Sequence, residues 1–338
     1  MSLLMNAQLL KKQFPLFAHH HDVVYLDNAA TYQKPQVVIS AMSTFYETSY
    51  ASVHRGLYEL GEQATEQYEA VRGQMATFIN AAHESEIIFT KGATEGFNMV
   101  AHSWAAQHVN AGDEILLSQV EHHANLLPWQ RVAQKTGAKL RFVPLDVETF
   151  LLEFSADLIT PKTKLVSLTY DSNVLGPVWP AGMLEDIMAQ AHAVGARVML
   201  DTTQAMIHHK IDVQKMNVDF VAFSGHKMAG PTGVGVLYIK KELHDEVEPY
   251  QVGGSMVYSV SFDNAVWAQV PQKFEAGTPA IVEVIGLGAT IDFLNTNVNF
   301  EQLARHEAAL TQQLVTGLQA LEGVHIAGNT QALATHGH

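Results

Sequence analysis

The chain has 338 residues, 47% hydrophobic and 16% charged, which is the composition of a folded globular protein with room for a sizeable core. Its net charge of −14 argues against a nucleic-acid or anionic-membrane partner. The absence of cysteine excludes disulfides and thiolate metal sites, and no run reaches the roughly 18 apolar residues a membrane helix needs. The N-terminal MSLLMNAQLLKKQF has only a short apolar piece and no small-residue cleavage pattern. No signal peptide is read there, and the cytoplasm is the expected location. The clusters His19-His20-His21 and His336-Gly337-His338 read as solvated tails in preference to metal sites.

In chain order, short apolar runs predict strands over residues 23–27, 86–90, 114–118, 139–144, 164–169, 197–201, 220–224 and 234–239. Helical spacing fills the gaps. Ala64, Tyr68, Val71, Met75 and Phe78 fall on one face, and Leu184, Ile187, Met188 and Ala191 repeat the pattern. Leu310, Leu314, Leu318 and Leu321 predict a striped helix near the C-terminus, followed by a strand-like piece at 324–327. Strand and helix alternate too often for anything but a mainly parallel, helix-covered α/β sheet. Ligands bind such sheets beyond the carboxyl ends of the strands.

Four segments at those ends carry chemistry. Lys91-Gly92-Ala93-Thr94-Glu95-Gly96 opens a helix with small residues, as an anion seat or an N-cap. His122 and His123 follow the strand at 114–118, where an imidazole can stack on a ring, move a proton or simply end a polar loop. Asp201 ends a buried strand. A carboxylate there needs a cation or hydrogen-bond donors, met by a protonated pyridine nitrogen or by a helix start, with Gln204 nearby. Lys227 sits between the apolar run 220–223 and the Gly/Pro turn at 230–235. It is either a surface lysine in a turn or a desolvated amine bonded to an aldehyde cofactor. It follows Asp201 by 26 residues, room for one helix and one strand. An aspartate, a lysine at this interval and an upstream phosphate turn form the ordered set expected for pyridoxal phosphate (PLP).

The segments YLDNAAT (25–31), SVHRG (52–56), EHHAN (121–125), SNVLG (172–176), DTTQAMIHH (201–209), FSGHKMAGPTG (223–233), GGSM (253–256) and FEAGTP (274–279) resemble SufS-type cysteine desulfurases. These belong to the class V aminotransferase branch of fold-type I PLP enzymes, close to selenocysteine lyases. The resemblance implies a fold-type I PLP-dependent transferase: an N-terminal arm of the small domain at 1–21, a large PLP-binding domain at 22–290, and the start of an incomplete small α+β domain at 291–338. It implies that Lys227 carries the cofactor covalently. Asp201 is then set on the pyridine nitrogen, Gln204 on the ring hydroxyl and His122 on the ring face. Thr94, Ser224 and His226 would hold the phosphate beside the Ala93 backbone. Asn173 would lie by the ring and the substrate carboxylate, and His54 near the substrate entrance. Thr278 resembles the residue that a second subunit sends to the phosphate, which implies a homodimer with a shared active site.

The resemblance also implies the activity: L-cysteine or L-selenocysteine to L-alanine, with sulfur or selenium released or passed to an acceptor protein for iron–sulfur cluster assembly. Two departures bear on it. Thr202-Thr203 stand where the family usually has Gly-Ala. The family's C-terminal part, with its loop cysteine and carboxylate-clamping arginine, has no counterpart before His338. Impaired turnover is therefore expected. The alternatives are a non-catalytic PLP-binding scaffold or regulatory subunit, and a lyase acting without an enzyme thiol.

Overall fold

The computed structural model describes residues 7–336. Met1–Asn6, which open the segment read above for a signal peptide, lie outside it, as do Gly337 and His338 of the terminal histidine run. His19, His20 and His21 are exposed.

Seven strands form one sheet: β1 (Ile87–Thr90), β2 (Glu114–Ser118), β3 (Lys139–Val143), β4 (Thr163–Thr169), β5 (Arg197–Asp201), β6 (Phe220–Ser224) and β7 (Gly235–Ile239), in the order β1-β7-β6-β5-β4-β2-β3. All run parallel except β7, which is antiparallel to both its neighbours. The strands read as continuous apolar runs because both faces are covered. Alternate residues point to opposite sides. Leu116, Val166, Leu200 and Val221 join one apolar cluster, with the helices Glu59–Phe78 and Met183–Ala193. Ile115, Leu165, Met199 and Phe220 join another, with Ala93–Val100 and Leu127–Thr136. The stripes Ala64-Tyr68-Val71-Met75-Phe78 and Leu184-Ile187-Met188-Ala191 are buried throughout. Each large aliphatic side chain taken fully inside contributes about 1.5–3 kcal/mol.

Two expectations fail, the strands at 23–27 and 324–327, and the striped helix forms without being buried. Residues 23–27 form no strand: Val24 and Leu26 are 79% and 87% exposed. The segment continues into a turn bonded to residue 226, not to a strand edge, and an apolar run without a ladder partner gains nothing from extension. The leucine stripe lies on the helix Phe300–Gln319 and just beyond it, but Leu310, Leu314 and Leu321 stay exposed and only Val315 in that helix is buried. Residues 324–327 are irregular. A two-stranded hairpin, β8 (Val257–Val260) and β9 (Ala265–Trp267), was not signalled by the sequence. It exposes Tyr258, Val260 and Phe262. No single helix among the described residues is long and apolar enough to cross a membrane.

Candidate active site

Because β4, β5 and β6 are parallel neighbours, their carboxyl ends stand side by side, with Thr169 paired to Asp201 and Asp201 to Ala222. Asp201 closes β5 and Ser224 closes β6. The chain then turns through Gly225–Lys227 and returns along β7. This brings Asp201 and Lys227 to one cavity of about 520 Å³. Ala93 and Thr94, the first residues of the Ala93–Val100 helix, line the same cavity. So do His122, Asn173, Gln204, Ser224 and His226.

The phosphate-type turn and the lysine turn are in contact. Ala93 N–H donates to Ser224 Oγ at 2.9 Å. A Cβ on Gly235 would stand 2.5 Å from the Gly92 Cα and 2.6 Å from the Phe223 carbonyl oxygen, so only glycine lets β7 begin there. Ala229, two residues past Lys227, takes a left-handed φ of 68° and is buried. That conformation costs about 1–2 kcal/mol for a non-glycine residue, held by the surrounding turn.

Burial pushes the Asp201 carboxyl up from its ordinary value, against hydrogen bonds from Thr203, whose N–H lies 2.9 Å from Oδ1. Among the described residues no cationic side chain lies within ion-pair distance of Asp201. Burial also lowers Lys227, with Asp201 pulling the other way. His122 is lowered by burial, and by Lys227 and His123 against Asp201; His226 by burial, Lys227 and Lys34. The site thus holds an amine easier to deprotonate than usual and two imidazoles biased to neutrality.

Two of the residues named from the sequence lie elsewhere. Thr278 is exposed and lines a second cavity with Lys91 and Glu283. His54 is absent from the cavity wall; its Nε2 meets Glu69 Oε1 at 2.7 Å. An ionic network runs from His54 to Glu275, on the segment that leads to Thr278. The Arg72 guanidinium, 2% exposed, bonds Glu69 and both Glu275 oxygens, three residues before Thr278. Burial opposes ionisation of Glu69, yet hydrogen bonds from His54 and Arg72 hold its carboxyl at about 2.

Other residues were not picked out from the sequence. Asp27, Ala29 and Ala30 line the cavity, and Gln204 Nε2 donates to the Ala29 carbonyl at 2.9 Å. The motif YLDNAAT was the available signal, but nothing in its local pattern places it against β6. Glu121 precedes His122 and ties three segments. Oε1 accepts from Ser118 Oγ (2.6 Å) and Thr169 N–H (2.9 Å), and Oε2 from Asn125 Nδ2 (2.6 Å). Burial above all holds it up at about 7, and repulsion from Asp201 adds to this.

The donor set fits PLP. A buried carboxylate without a cation suits a protonated ring nitrogen. A helix start with Thr94, Ser224 and His226 suits a phosphate. A partly desolvated amine suits an aldehyde. A parallel α/β sheet with these groups at its carboxyl edge defines a PLP-dependent enzyme. Residues 24–337 match the aminotransferase class-V family. A probable cysteine desulfurase of Synechocystis is 45% identical over 326 residues, which are 95% of this chain and 77% of that protein. The solved cysteine desulfurase of Escherichia coli is 40% identical with a TM-score of 0.83, covering 94% of this chain and 78% of its own. A cystine C–S lyase, solved with cysteine persulfide, is 26% identical with a TM-score of 0.78, covering 94% of this chain and 84% of its own. The chain belongs to the class-V aminotransferase family and is cysteine desulfurase-like within it.

Proposed function

We propose that this chain removes sulfur from L-cysteine, leaving L-alanine, and passes it to an acceptor thiol. The observation that carries the reading is the convergence of Lys227, Asp201 and the Ala93 helix start on one cavity. Because the 338 residues contain no cysteine, the acceptor thiol lies outside this sequence. The reaction balances: the Cβ–S bond breaks, an S–S bond forms on the acceptor, and of the two thiol protons one ends on Cβ and one on the terminal sulfur.

Bound PLP supplies an electron sink for the substrate's Cα–H bond. Asp201 keeps the ring nitrogen protonated and thereby strengthens that sink. Lys227 would hold the cofactor through its amine, and that amine, when free, would take the substrate's Cα proton. Its basicity is lowered first by burial, which favours the deprotonated amine that such a base requires. His122, biased to neutrality first by burial, would face the ring without adding charge. Thr94, Ser224 and His226 hold the phosphate and fix orientation, with Asn173 on the substrate side.

Thr278 lies outside this cavity, which supports a homodimer whose partner completes the phosphate site. Phe14 packs on Phe293 with ring centroids 5.7 Å apart, and Gln13 bonds Asn297, which supports reading residues 1–21 with 291–338 as one small domain. The cytoplasm remains the proposed location.

One observation favours a second reading, a C–S lyase that needs no enzyme thiol: the sequence has none. PLP-loaded protein, incubated with L-cysteine with and without dithiothreitol, separates the two. Alanine that rises with the thiol supports desulfuration; pyruvate and ammonia in its place support the lyase. Neither product from protein that has bound PLP leaves the non-catalytic scaffold. Lys227→Ala removes the absorbance band and lowers turnover by about three orders of magnitude or more; retention of both sinks the assignment of the lysine.

A further inference from the structure

Residues 27–34 run along the cavity as a strap. One part is fixed by Gln204, which donates to the Ala29 carbonyl. The other is pinned to the turn that carries Lys227. The His226 carbonyl, in the peptide bond directly before Lys227, accepts the Tyr32 N–H at 3.1 Å and the Lys34 ammonium at 3.2 Å. The same ammonium donates to the Tyr32 carbonyl. Thr31 Oγ1 lies 3.1 Å from His226 Nδ1. Strap and turn therefore meet through three residues of one and the backbone and ring of the other.

Lys34 is half-buried, and among the described residues no carboxylate lies within ion-pair distance of it. Its charge is met by peptide carbonyls. A lysine so placed is costly to desolvate, and burial holds its amine at about 8. Surface lysines that merely solubilise a fold do not sit this way.

We propose that Lys34 is a positioning residue for Lys227: its ammonium, seated on the His226 carbonyl, locks the 27–34 strap to the lysine turn and fixes the direction in which the Lys227 amine enters the cavity. This rests on the reading of Lys227 as the cofactor-bearing lysine. A charge-assisted bond to a carbonyl is short-ranged and directional. An uncharged stem of similar length leaves that carbonyl with Tyr32 N–H and the Thr31 Oγ1 donor at 3.5 Å alone, and the turn gains freedom.

The test compares Lys34→Met and Lys34→Arg with the unaltered protein, all loaded with PLP. The readouts are the rate of PLP release on dilution and the visible circular dichroism per bound PLP, which reports how firmly the ring keeps one orientation. Lys34→Met is expected to release PLP about tenfold faster and to lose about half of the dichroism, with the cofactor-free melting temperature within a few degrees. Lys34→Arg is expected to keep both near the original values. Unchanged release and dichroism in Lys34→Met overturn the inference, as do equal losses in the Met and Arg variants. If Lys34→Met does not fold, Lys34→Gln replaces it under the same criteria. Borohydride reduction followed by peptide mapping separates the two levels. PLP fixed to another residue sinks the reading of Lys227; PLP on Lys227 with an indifferent Lys34→Met sinks only the role of Lys34.

Discussion

Asp201 and Glu121 are two carboxylates with opposite solutions to burial. Asp201 has few protein donors, and in the proposed function the cofactor's cation would complete it. Glu121 is satisfied by its own chain, with Ser118, Asn125 and the Thr169 N–H around it. A pH effect follows for Glu121. Its carboxyl titrates at about 7 folded against an ordinary value of 4.5. The folded state thus holds the proton more tightly, and its contribution is complete below about 4.5 and is lost as pH rises through about 7. The melting temperature of the cofactor-free protein should fall more steeply between these pH values than that of Glu121→Gln, as differential scanning fluorimetry can record. Parallel curves for the two proteins refute the assignment. Both carboxylates sat inside segments quoted from the sequence, yet only Asp201 was given a task. A residue that ends a strand announces itself, whereas one whose donors come from Ser118 and Thr169 on two different strands does not.

At the scale of elements, the strand ends were readable because buried parallel strands are short apolar runs with abrupt polar stops. Asp201 and Ser224 each fall on the last residue of a strand. The strap at 27–34 was not readable. The apolar run just before it imitates a strand, and the strap's actual partners are carbonyls and side chains almost two hundred positions away. The leucines of the C-terminal helix misled for the reverse reason: periodicity tells which face is apolar and says nothing of what covers it. The contact of β7 with the turn after β1 gives a sharp test. In Gly235→Ala the new methyl meets Gly92 backbone, not a movable side chain. The turn bearing Ala93 must then move, and PLP affinity should drop by about tenfold or more in an equilibrium titration. An unchanged Kd would show that the turn yields without disturbing the phosphate seat.

At the scale of the whole molecule, one protomer assembles most of the site and leaves Thr278 outside. The Arg72–Glu275 pair ties down the chain three residues before it. A buried guanidinium bonded to both carboxylate oxygens holds the loop, and removing one partner of such a pair costs about 3–5 kcal/mol. The proposed homodimer would complete the site with a second chain. Sedimentation velocity of the PLP-loaded protein is expected to give a dimer, and Thr278→Val to raise the Kd for PLP about tenfold. A monomer with full affinity, or a dimer indifferent to Thr278→Val, removes the shared site. Sequence reading reached this residue through its motif alone, since no local pattern can reveal a role in a second subunit's site.

The joint between the two turns also sets an order in time. The bond from Ala93 to Ser224 closes a span of 131 residues, and that from His226 to Thr31 one of 195. Loops of this size close late, after local helices have formed. No early portion of the nascent chain can hold the cofactor, since the strand that seats Gly92 is the last of the seven to be synthesised. The visible absorbance of bound PLP is thus a clock for the final step of folding, and its appearance in a refolding experiment should trail the return of helical signal.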